Sequence, residues 1–414
     1  KKIAFHTLGC KLNFSETSSL SRDSLKYGYE NVNSKDFADI YVFNTCSVTE
    51  NANKETRKLI RRSKRINPNA FITLIGCYAQ LKPEELIDIK DVNLVLGTAD
   101  KFDLLSHLDK IDTSGDIKSS IGGNINDIKI FNPSFSNDDR TRSFLKVQDG
   151  CDYSCTFCTI PLARGRSRSS SINKTINIAK DISRTNTKEI VITGINIGDF
   201  GKGTNESFYD LIKQMDSQID IERFRISSIE PNLLNDKIIE FCFQSKKFMP
   251  HFHIPLQSGS NKMLKSMKRR YTSQEYSDRL NKIKSLDQDA CIGVDVIVGY
   301  PTESEEDFFE TYNFLKNHDV SYLHVFTYSE RENTKAIKLE PVVPYEERAR
   351  RSKILRELSD QKRINFYKRS VGQIRPVLVE KSKNGILFGY TDNYIKTRIQ
   401  GHISLENTIQ NVFI

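Results

Sequence analysis

Three cysteines lie close together in the run Cys151-Asp-Tyr-Ser-Cys155-Thr-Phe-Cys158. Thiolates are soft ligands that suit zinc or iron–sulfur clusters. A structural zinc site takes four protein ligands, but the next histidine in the sequence is His251. Three thiolates on a four-iron cluster leave one iron open to a substrate or cofactor, which is typical of catalytic metal sites. The spacing therefore favours a catalytic metal centre.

Three further cysteines, Cys10, Cys46 and Cys77, each come directly after an apolar run that we predict to be a β-strand. In an open α/β sheet, the loops at the carboxyl ends of the strands form the ligand crevice. Three thiols at one edge of a sheet would suit a second metal centre. The alternative is that they are core cysteines, which are common in protein interiors. Cys242 and Cys291 have no partner at ligand spacing, so we expect both in the core.

The composition indicates a folded protein of several domains. Of the 414 residues, 37% are hydrophobic and 10% aromatic, which argues against disorder. No apolar run approaches the roughly 18 residues that span a bilayer, and the short apolar N-terminus resembles a strand more than a signal peptide. The net charge of +9 permits an acidic partner without naming one. Clustered thiols without a secretion signal indicate metal or redox chemistry in a reducing compartment, so we expect a cytoplasmic protein without a membrane partner.

The elements that must position these cysteines predict an α/β fold. Residues 1–125 alternate strands and helices, which predicts a doubly wound parallel sheet, and residues 126–140 are predicted to be a linker. Residues 141–370 repeat a β/α unit with six strands, too few for the complete eight-stranded form, so we expect a partial (β/α)6 barrel. Residues 371–414 contain short β-rich runs that predict a small antiparallel barrel.

The central motif carries a resemblance to a known superfamily. The pattern C-x3-C-x-aromatic-C after the first barrel strand is similar to the signature of radical S-adenosylmethionine enzymes, with Phe157 in the aromatic position. The order of the three domains resembles the methylthiotransferases, whose C-terminal domain is the RNA-binding TRAM module. This resemblance covers essentially the whole chain. The runs TLGCKLN, RTRSFLKVQDGCDYSCTFCTIP and YTDNYIKT are similar to the subgroup that acts on N6-threonylcarbamoyladenosine in bacterial tRNA.

The resemblance implies the cofactors and their ligands. Two [4Fe-4S] clusters are expected, one on Cys151, Cys155 and Cys158 and an auxiliary one on Cys10, Cys46 and Cys77. S-adenosyl-L-methionine is the expected cofactor of the first cluster. Its expected contacts comprise the aromatic residue of the motif and residues at the ends of barrel strands, namely Phe157, Thr193, Gly194, Ser228, Glu230, Gln257, Val298 and Gly299.

The resemblance also implies an activity and its partners. The expected reaction inserts a methylthio group at carbon 2 of N6-threonylcarbamoyladenosine at tRNA position 37. A radical is needed there because an aryl C–H bond offers neither an acidic proton nor a leaving group. The expected partners are the tRNA anticodon loop and an electron donor such as flavodoxin or ferredoxin; the sulfur source is unknown. Two alternatives are a methylthiotransferase for isopentenyl-adenosine in tRNA or for a ribosomal-protein aspartate, and an RNA-binding protein with structural metal.

Two groups of residues are candidates for RNA contacts. Arg164, Arg166 and Arg168 follow the cluster motif and would contact phosphates; the alternative is a solvated basic loop. In the C-terminal segment, Tyr394, Lys396 and Arg398 combine an aromatic ring with positive charge, which suits single-stranded RNA. A partly buried aromatic core would give the same pattern.

Overall fold

The computed structural model describes residues 1–46, 50–111, 118–125, 128–136, 141–382 and 385–414, without the side chains of residues 50–53. The chain forms two compact units. Unit 1 comprises Lys1–Ser136, Phe144–Tyr153 and Thr159–Ser170, and unit 2 comprises Asn137–Ser143, Ser154–Cys158 and Ser171–Ile414. Residues 126–127 and 137–140 of the predicted linker lie outside the described residues, and the predicted domain bounds stay predictions. In the described ranges, no helix is both long enough and apolar enough to span a membrane.

Unit 1 contains a parallel sheet with helices on both faces. Its elements are β1 (Lys2–Thr7), α1 (Lys11–Lys26), β2 (Glu30–Val32), β3 (Ile40–Thr45), α2 (Glu50–Ile66), β4 (Phe71–Gly76), α3 (Cys77–Leu81), α4 (Pro83–Ile87), β5 (Leu94–Leu96), α5 (Leu104–Lys110) and β6 (Ser119–Ile121). In the described residues the strand order is β2-β1-β3-β4-β5-β6, and every neighbouring pair is parallel. The predicted parallel α/β sheet is therefore confirmed.

The central strands explain why this sheet forms. All residues of β3 and β4 are buried, as expected for parallel strands covered on both faces. Successive side chains alternate between two apolar cores. Phe43 packs in the core that contains Ile60 of α2, whereas Val42 packs in the core that contains Leu20 of α1 and Leu104 of α5.

The remaining elements of unit 1 come from the segments that precede and follow the cluster motif. They are β7 (Ser134–Phe135), the end of β8 (Arg142–Lys146), β9 (Gln148–Asp149), α6 (Ile160–Arg164) and β10 (Arg168–Ser169). Strand β7 pairs antiparallel with β8, and β9 pairs antiparallel with β10. The second pairing sets Asp149 opposite Arg168.

Unit 2 repeats a β/α pattern. Its elements are α7 (Ile172–Ser183), β11 (Glu189–Thr193), α8 (Phe208–Gln218), β12 (Arg223–Ile226), α9 (Asp236–Gln244), β13 (His251–Gln257), α10 (Asn261–Ser266), α11 (Ser273–Leu286), β14 (Cys291–Val298), α12 (Glu305–Asn317), β15 (Tyr322–Thr327) and α13 (Tyr345–Arg369). β11 runs parallel to β12, and β13, β14 and β15 are parallel neighbours. A parallel bridge joins Ser228, after β12, to His253. The predicted strands are present, while closure into a (β/α)6 barrel stays a prediction.

The last segment of unit 2 is an antiparallel sheet of β16 (Ile374–Val379), β17 (Leu387–Thr391), β18 (Lys396–Ile399) and β19 (Ile409–Phe413). Within the described part of this segment the order is β18-β17-β16-β19, around a core that includes Val377 and Leu387. Two arginines of β12 hold this sheet through its main chain. Arg223 donates to the carbonyl oxygens of Pro376 at 2.7 Å and Tyr390 at 3.2 Å, and Arg225 donates to that of Asp392 at 3.1 Å.

Candidate metal centres and their surroundings

Cys10, Cys46 and Cys77 lie at one edge of the parallel sheet of unit 1. Cys10 is the residue before α1, Cys46 follows β3, and Cys77 begins α3 directly after β4. Strands β1, β3 and β4 are adjacent and parallel, so their carboxyl ends share an edge. A Cβ atom at Gly9 would lie 2.7 Å from Cβ of Cys46, and Gly9 has a positive φ of 102°. Glycine thus permits the chain before Cys10 to approach Cys46 closely.

A cluster of fully buried charges, the buried charge cluster, lies in the same unit. Its members are Glu16, Lys101, Lys146, Asp149 and Arg164. The Glu16 carboxylate accepts from Lys101 Nζ at 2.7 Å, Lys146 Nζ at 2.9 Å and Arg164 Nη1 at 3.0 Å, and Arg164 Nη1 also lies 3.0 Å from Oδ1 of Asp149. Among these five described residues, the cations outnumber the carboxylates by one. Burying an extra cation is costly unless an anion lies nearby.

Arg164 connects this cluster to the cysteines. Its Nη2 donates to Oδ1 of Asn13 at 2.6 Å, and Nδ2 of Asn13 donates to the carbonyl oxygens of Leu8 and Thr45, close in sequence to Cys10 and Cys46. Burial by itself would lower the pKa of Arg164, but electrostatic interaction with Cys77 and the Glu16 carboxylate holds it well above its ordinary value. Burial raises the pKa of the Cys77 thiol.

One N–H group of Arg164, that of Nε, is buried without a hydrogen-bond partner among the described residues. An orphaned donor and a surplus positive charge beside three thiols fit an anionic group. A cluster ligated by three thiolates is such a group, because each coordinating thiol is deprotonated.

The central motif is divided between the two units. Cys151 belongs to unit 1, where its N–H donates to the carbonyl oxygen of Gly165 and its Sγ accepts from the N–H of Tyr153 at 3.4 Å. Cys155 and Cys158 belong to unit 2, and the Cys158 N–H donates to the Cys155 carbonyl at 3.1 Å. All three cysteines are partly exposed.

Arg269 is a neighbour of the central motif that the sequence patterns did not single out. Its Nη1 donates to Sγ of Cys155 at 3.2 Å, and its Nη2 pairs with the Glu230 carboxylate. Its Nε donates to the Tyr271 hydroxyl, which in turn donates to main-chain carbonyls at the end of β13. Burial raises the pKa of the Cys155 thiol, and the Arg269 charge opposes that rise. Burial outweighs the arginine, so the pKa stays raised, and the Arg269 charge offsets part of the cost of the thiolate that a metal ligand requires.

Most of the expected cofactor contacts lie at the carboxyl ends of the unit 2 strands. These residues are Thr193 and Gly194 at β11, Ser228 and Glu230 after β12, Gln257 at β13, and Val298 and Gly299 at β14. Thr193 and Val298 are buried. Gly299 has a positive φ of 73°, and a Cβ there would lie 2.3 Å from the Arg348 side chain. The packing of Arg348 is therefore enough to explain a glycine at this position, with or without a bound cofactor.

Phe157 belongs to an apolar cluster of unit 2. It packs with Met263, Met267, Tyr300 and Tyr328, and its ring meets that of Tyr300 edge to face at 6.5 Å. Phe157 is half-buried rather than enclosed, so part of the ring is accessible to a ligand.

The three arginines after the motif have different environments. Arg164 is fully buried and paired with Glu16 and Asp149, so the predicted phosphate contact at Arg164 is wrong. The guanidinium of Arg168 donates hydrogen bonds to the Asp149 carboxylate and to three carbonyl oxygens, including that of Ile130 at 3.1 Å. Of the three, Arg166 is exposed, and its contact with RNA stays a prediction.

The candidates for RNA contacts in the C-terminal segment also differ in their environments. The Tyr394 ring stacks on His251 at 4.5 Å and on Tyr390 at 4.8 Å between ring centroids, and Arg225 lies 4.8 Å from its centroid. These groups occupy the faces on which a base would stack, so the predicted RNA contact of Tyr394 is wrong and the alternative of an aromatic core holds. Lys396 and Arg398 are exposed, two residues apart on the edge strand β18.

Comparison with known proteins gives matches along nearly the whole chain. Residues 2–97 match the uncharacterized protein family UPF0004, and residues 145–315 match the radical SAM superfamily. The chain is 41% identical over 412 residues to threonylcarbamoyladenosine tRNA methylthiotransferase MtaB of Bacillus subtilis, covering 96% of this chain and 90% of that protein. The protein of the same name from Aquifex aeolicus is 40% identical over 403 residues, covering 97% of each chain.

Two further comparisons are more distant. The tRNA-2-methylthio-N(6)-dimethylallyladenosine synthase of Clostridium beijerinckii is 32% identical over 427 residues, covering 100% of this chain and 93% of that protein. Among solved structures, the radical S-adenosylmethionine methyltransferase TsrM from Kitasatospora setae superposes with a TM-score of 0.59 at 9% identity, covering 81% of this chain and 77% of that one. At 9% identity, this structural similarity supports the fold only.

Proposed function

Because the chain belongs to the family of radical S-adenosylmethionine methylthiotransferases, we propose that it inserts a methylthio group at carbon 2 of N6-threonylcarbamoyladenosine in tRNA. The substrate is assigned from sequence similarity to relatives. Two relatives named for this nucleoside are 41% and 40% identical, whereas relatives named for dimethylallyladenosine are 30–32% identical. The observation that supports the chemistry is the delivery of three thiols to one sheet edge beside a buried surplus of positive charge.

The cofactors of this family are S-adenosylmethionine and [4Fe-4S] clusters. In this chain, Cys151, Cys155 and Cys158 would hold one cluster, and Cys10, Cys46 and Cys77 a second. When bound, these groups supply one-electron cleavage of the cofactor and the sulfur that is transferred. The protein itself places positive charge beside the cysteines that would ligate the clusters. Arg164 places positive charge beside the second set of thiols, and Arg269 places it beside Cys155.

The same proposal assigns the cofactor and RNA contacts. Phe157 and the residues at the strand ends would bind S-adenosylmethionine: Thr193, Gly194, Ser228, Glu230, Gln257, Val298 and Gly299. Glu230 would act there as the residue that fixes Arg269, since the two are already paired. Residues 371–414 would form a TRAM-like RNA-binding domain, with exposed Lys396 and Arg398 on tRNA phosphates and Arg166 as a further contact. A tRNA substrate and an electron donor such as flavodoxin or ferredoxin imply a cytoplasmic enzyme.

Mass spectrometry of tRNA nucleosides tests the substrate. A strain that lacks the gene should lose 2-methylthio-N6-threonylcarbamoyladenosine and accumulate its unthiolated precursor, and the gene on a plasmid should restore the product. A matched plasmid that encodes Cys46→Ala should not restore it. If the 2-methylthio derivative of isopentenyl-adenosine disappears instead, the sister activity is correct. If no nucleoside changes, the proposal fails.

A further inference from the structure

Three adjacent strands of unit 2 bring two histidines and an aspartate to one point, away in sequence from the two sets of candidate cluster ligands. His253 lies on β13, Asp295 on β14 and His324 on β15. The register sets Asp295 opposite His324 on one side and opposite Pro255, two residues from His253, on the other. None of the three belongs to the cluster or cofactor contacts described above.

The ligand atoms form a small triangle. Nε2 of His253 lies 3.0 Å from Oδ1 of Asp295, Nδ1 of His324 lies 3.1 Å from the same oxygen, and the two ring nitrogens are 3.3 Å apart. Metal–ligand bonds to imidazole and carboxylate are about 2.0–2.2 Å long, so neighbouring ligands on one ion are separated by about 2.9–3.4 Å. All three sides of the triangle fall in that interval.

Hydrogen bonding alone accounts for this geometry less well. Each ring nitrogen carries at most one hydrogen; where both donate to Oδ1 of Asp295, two hydrogens point at one oxygen. The two N–H groups would then face each other across 3.3 Å. A cation at the same point is bound by all three atoms through their lone pairs, and the contact between the rings becomes a ligand–ligand separation.

The site is open to solvent on the β15 side. The His324 side chain is 52% exposed, against 20% for Asp295 and 14% for His253. An ion can therefore enter, and its remaining coordination positions face outward, where water or another oxygen donor can bind. Two imidazoles and one carboxylate are a ligand set for divalent transition metals, which in zinc sites leave a fourth position open.

We propose that His253, Asp295 and His324 bind one divalent transition-metal ion of the zinc class, separately from the iron–sulfur clusters. The site is independent of the substrate assignment, because it rests on this triangle of atoms alone.

Zinc content of the reconstituted enzyme tests this proposal. Protein with both clusters loaded is equilibrated with Zn²⁺, freed of unbound metal and analysed for zinc and iron in the same sample. We expect about one zinc per chain in the wild type, and at least about tenfold weaker zinc binding in His324→Ala and Asp295→Asn at unchanged iron. His402→Ala removes an exposed histidine elsewhere and should bind zinc like the wild type.

X-ray absorption at the zinc edge checks the location. The expected ligands are nitrogen and oxygen at about 2.0–2.2 Å, without sulfur at about 2.3 Å. Because His324 is largely exposed, its replacement should leave the circular dichroism spectrum unchanged. The proposal is overturned if the wild type takes up no zinc, if the triad variants bind it as the wild type does, or if the bound zinc has sulfur ligands.

Discussion

Glu16 and Arg164 are 148 residues apart in the sequence, yet Nη1 of Arg164 lies 3.0 Å from Oε1 of Glu16 and both side chains are fully buried. This pair ties the segment after the central motif to the first helix of the chain. The carboxylate is shared with Lys101 and Lys146, so Glu16 interacts with three cations at once. Such a network is sensitive to the loss of any one member, because the remaining charges stay buried.

The first prediction concerns the stability of this network. Arg164→Met removes the buried hydrogen bonds that Glu16, Asp149 and Asn13 accept from this arginine, so we expect it to lower the free energy of unfolding by about 3–5 kcal/mol. Urea denaturation of the cluster-free protein measures the change. Arg166→Met, at an exposed position two residues away, should change it by less than about 0.5 kcal/mol. Equal effects of the two substitutions would contradict the burial of Arg164.

The second prediction concerns the loss of stability at acidic pH. Glu189 accepts from Arg225 at 2.9 and 3.0 Å, and although burial alone would raise its pKa, the arginine lowers it from about 4.5 to about 2. A carboxylate with a depressed folded-state pKa stabilises the protein above its unfolded pKa and loses that contribution as the pH falls toward the folded value. Between pH 4.5 and 2, the wild type should therefore lose about 3 kcal/mol through this group.

Urea titrations at several pH values test that loss. Glu189→Gln should be less stable at pH 7 and should lose less stability than the wild type between pH 4.5 and 2. Glu222→Gln removes an exposed carboxylate nearby and should follow the wild-type curve. Parallel curves for the wild type and Glu189→Gln would rule out the Arg225 pair as the cause.

The third prediction separates the two sets of cysteines. Cys151→Ala should abolish formation of 5′-deoxyadenosine, whereas Cys46→Ala should keep it but stop thiolation of tRNA. Each variant should retain about four of the roughly eight irons expected for two four-iron clusters. Cys242→Ala, which removes a buried thiol outside both sets, should keep both activities. Deoxyadenosine from Cys151→Ala, or thiolated tRNA from Cys46→Ala, would refute the assignment.

The fourth prediction concerns Arg269 as a positioning residue. Its guanidinium donates to Sγ of Cys155 at 3.2 Å, and hydrogen bonds and charge near the sulfur atoms tune cluster potentials. Arg269→Met should lower the midpoint potential of that cluster by on the order of 60 mV, a tenfold change in the reduction equilibrium. A redox titration followed by electron paramagnetic resonance measures it. Arg270→Met, at an exposed site, should leave the potential unchanged, and equal shifts would contradict the role of Arg269.

The fifth prediction concerns RNA binding. Lys396→Ala and Arg398→Ala should each weaken tRNA binding and reduce the slope of its salt dependence by about 1, as expected for a lost phosphate contact. Fluorescence anisotropy across a salt series measures both quantities. Tyr394→Ala should instead lower stability, because it opens the stack with His251 and Tyr390. Unchanged salt slopes for both basic variants would remove β18 from the RNA surface.

The sequence predicts the parts of this protein that depend on local periodicity. Buried parallel strands are continuous apolar runs, and residues directly after them must share an edge. The positions of Cys10, Cys46 and Cys77 therefore follow from strand prediction alone. The cluster motif likewise depends on spacing within a few residues.

Features that depend on distant partners were missed. Arg164 stands in a basic run typical of a solvated loop, and nothing near it in sequence indicates Glu16 as its partner. Tyr394 looks the same whether its neighbour is a base or His251. His253, Asp295 and His324 are separated by tens of residues, and only the strand register brings them together.

The attachment of the C-terminal sheet to β12 has a consequence for sequence change. Arg223 and Arg225 hold the carbonyl oxygens of Pro376, Tyr390 and Asp392, and every residue type provides a carbonyl oxygen. Docking through these bonds is therefore insensitive to which side chains the sheet carries. The side chains on the outward surface of the sheet can therefore change without loss of these bonds to β12.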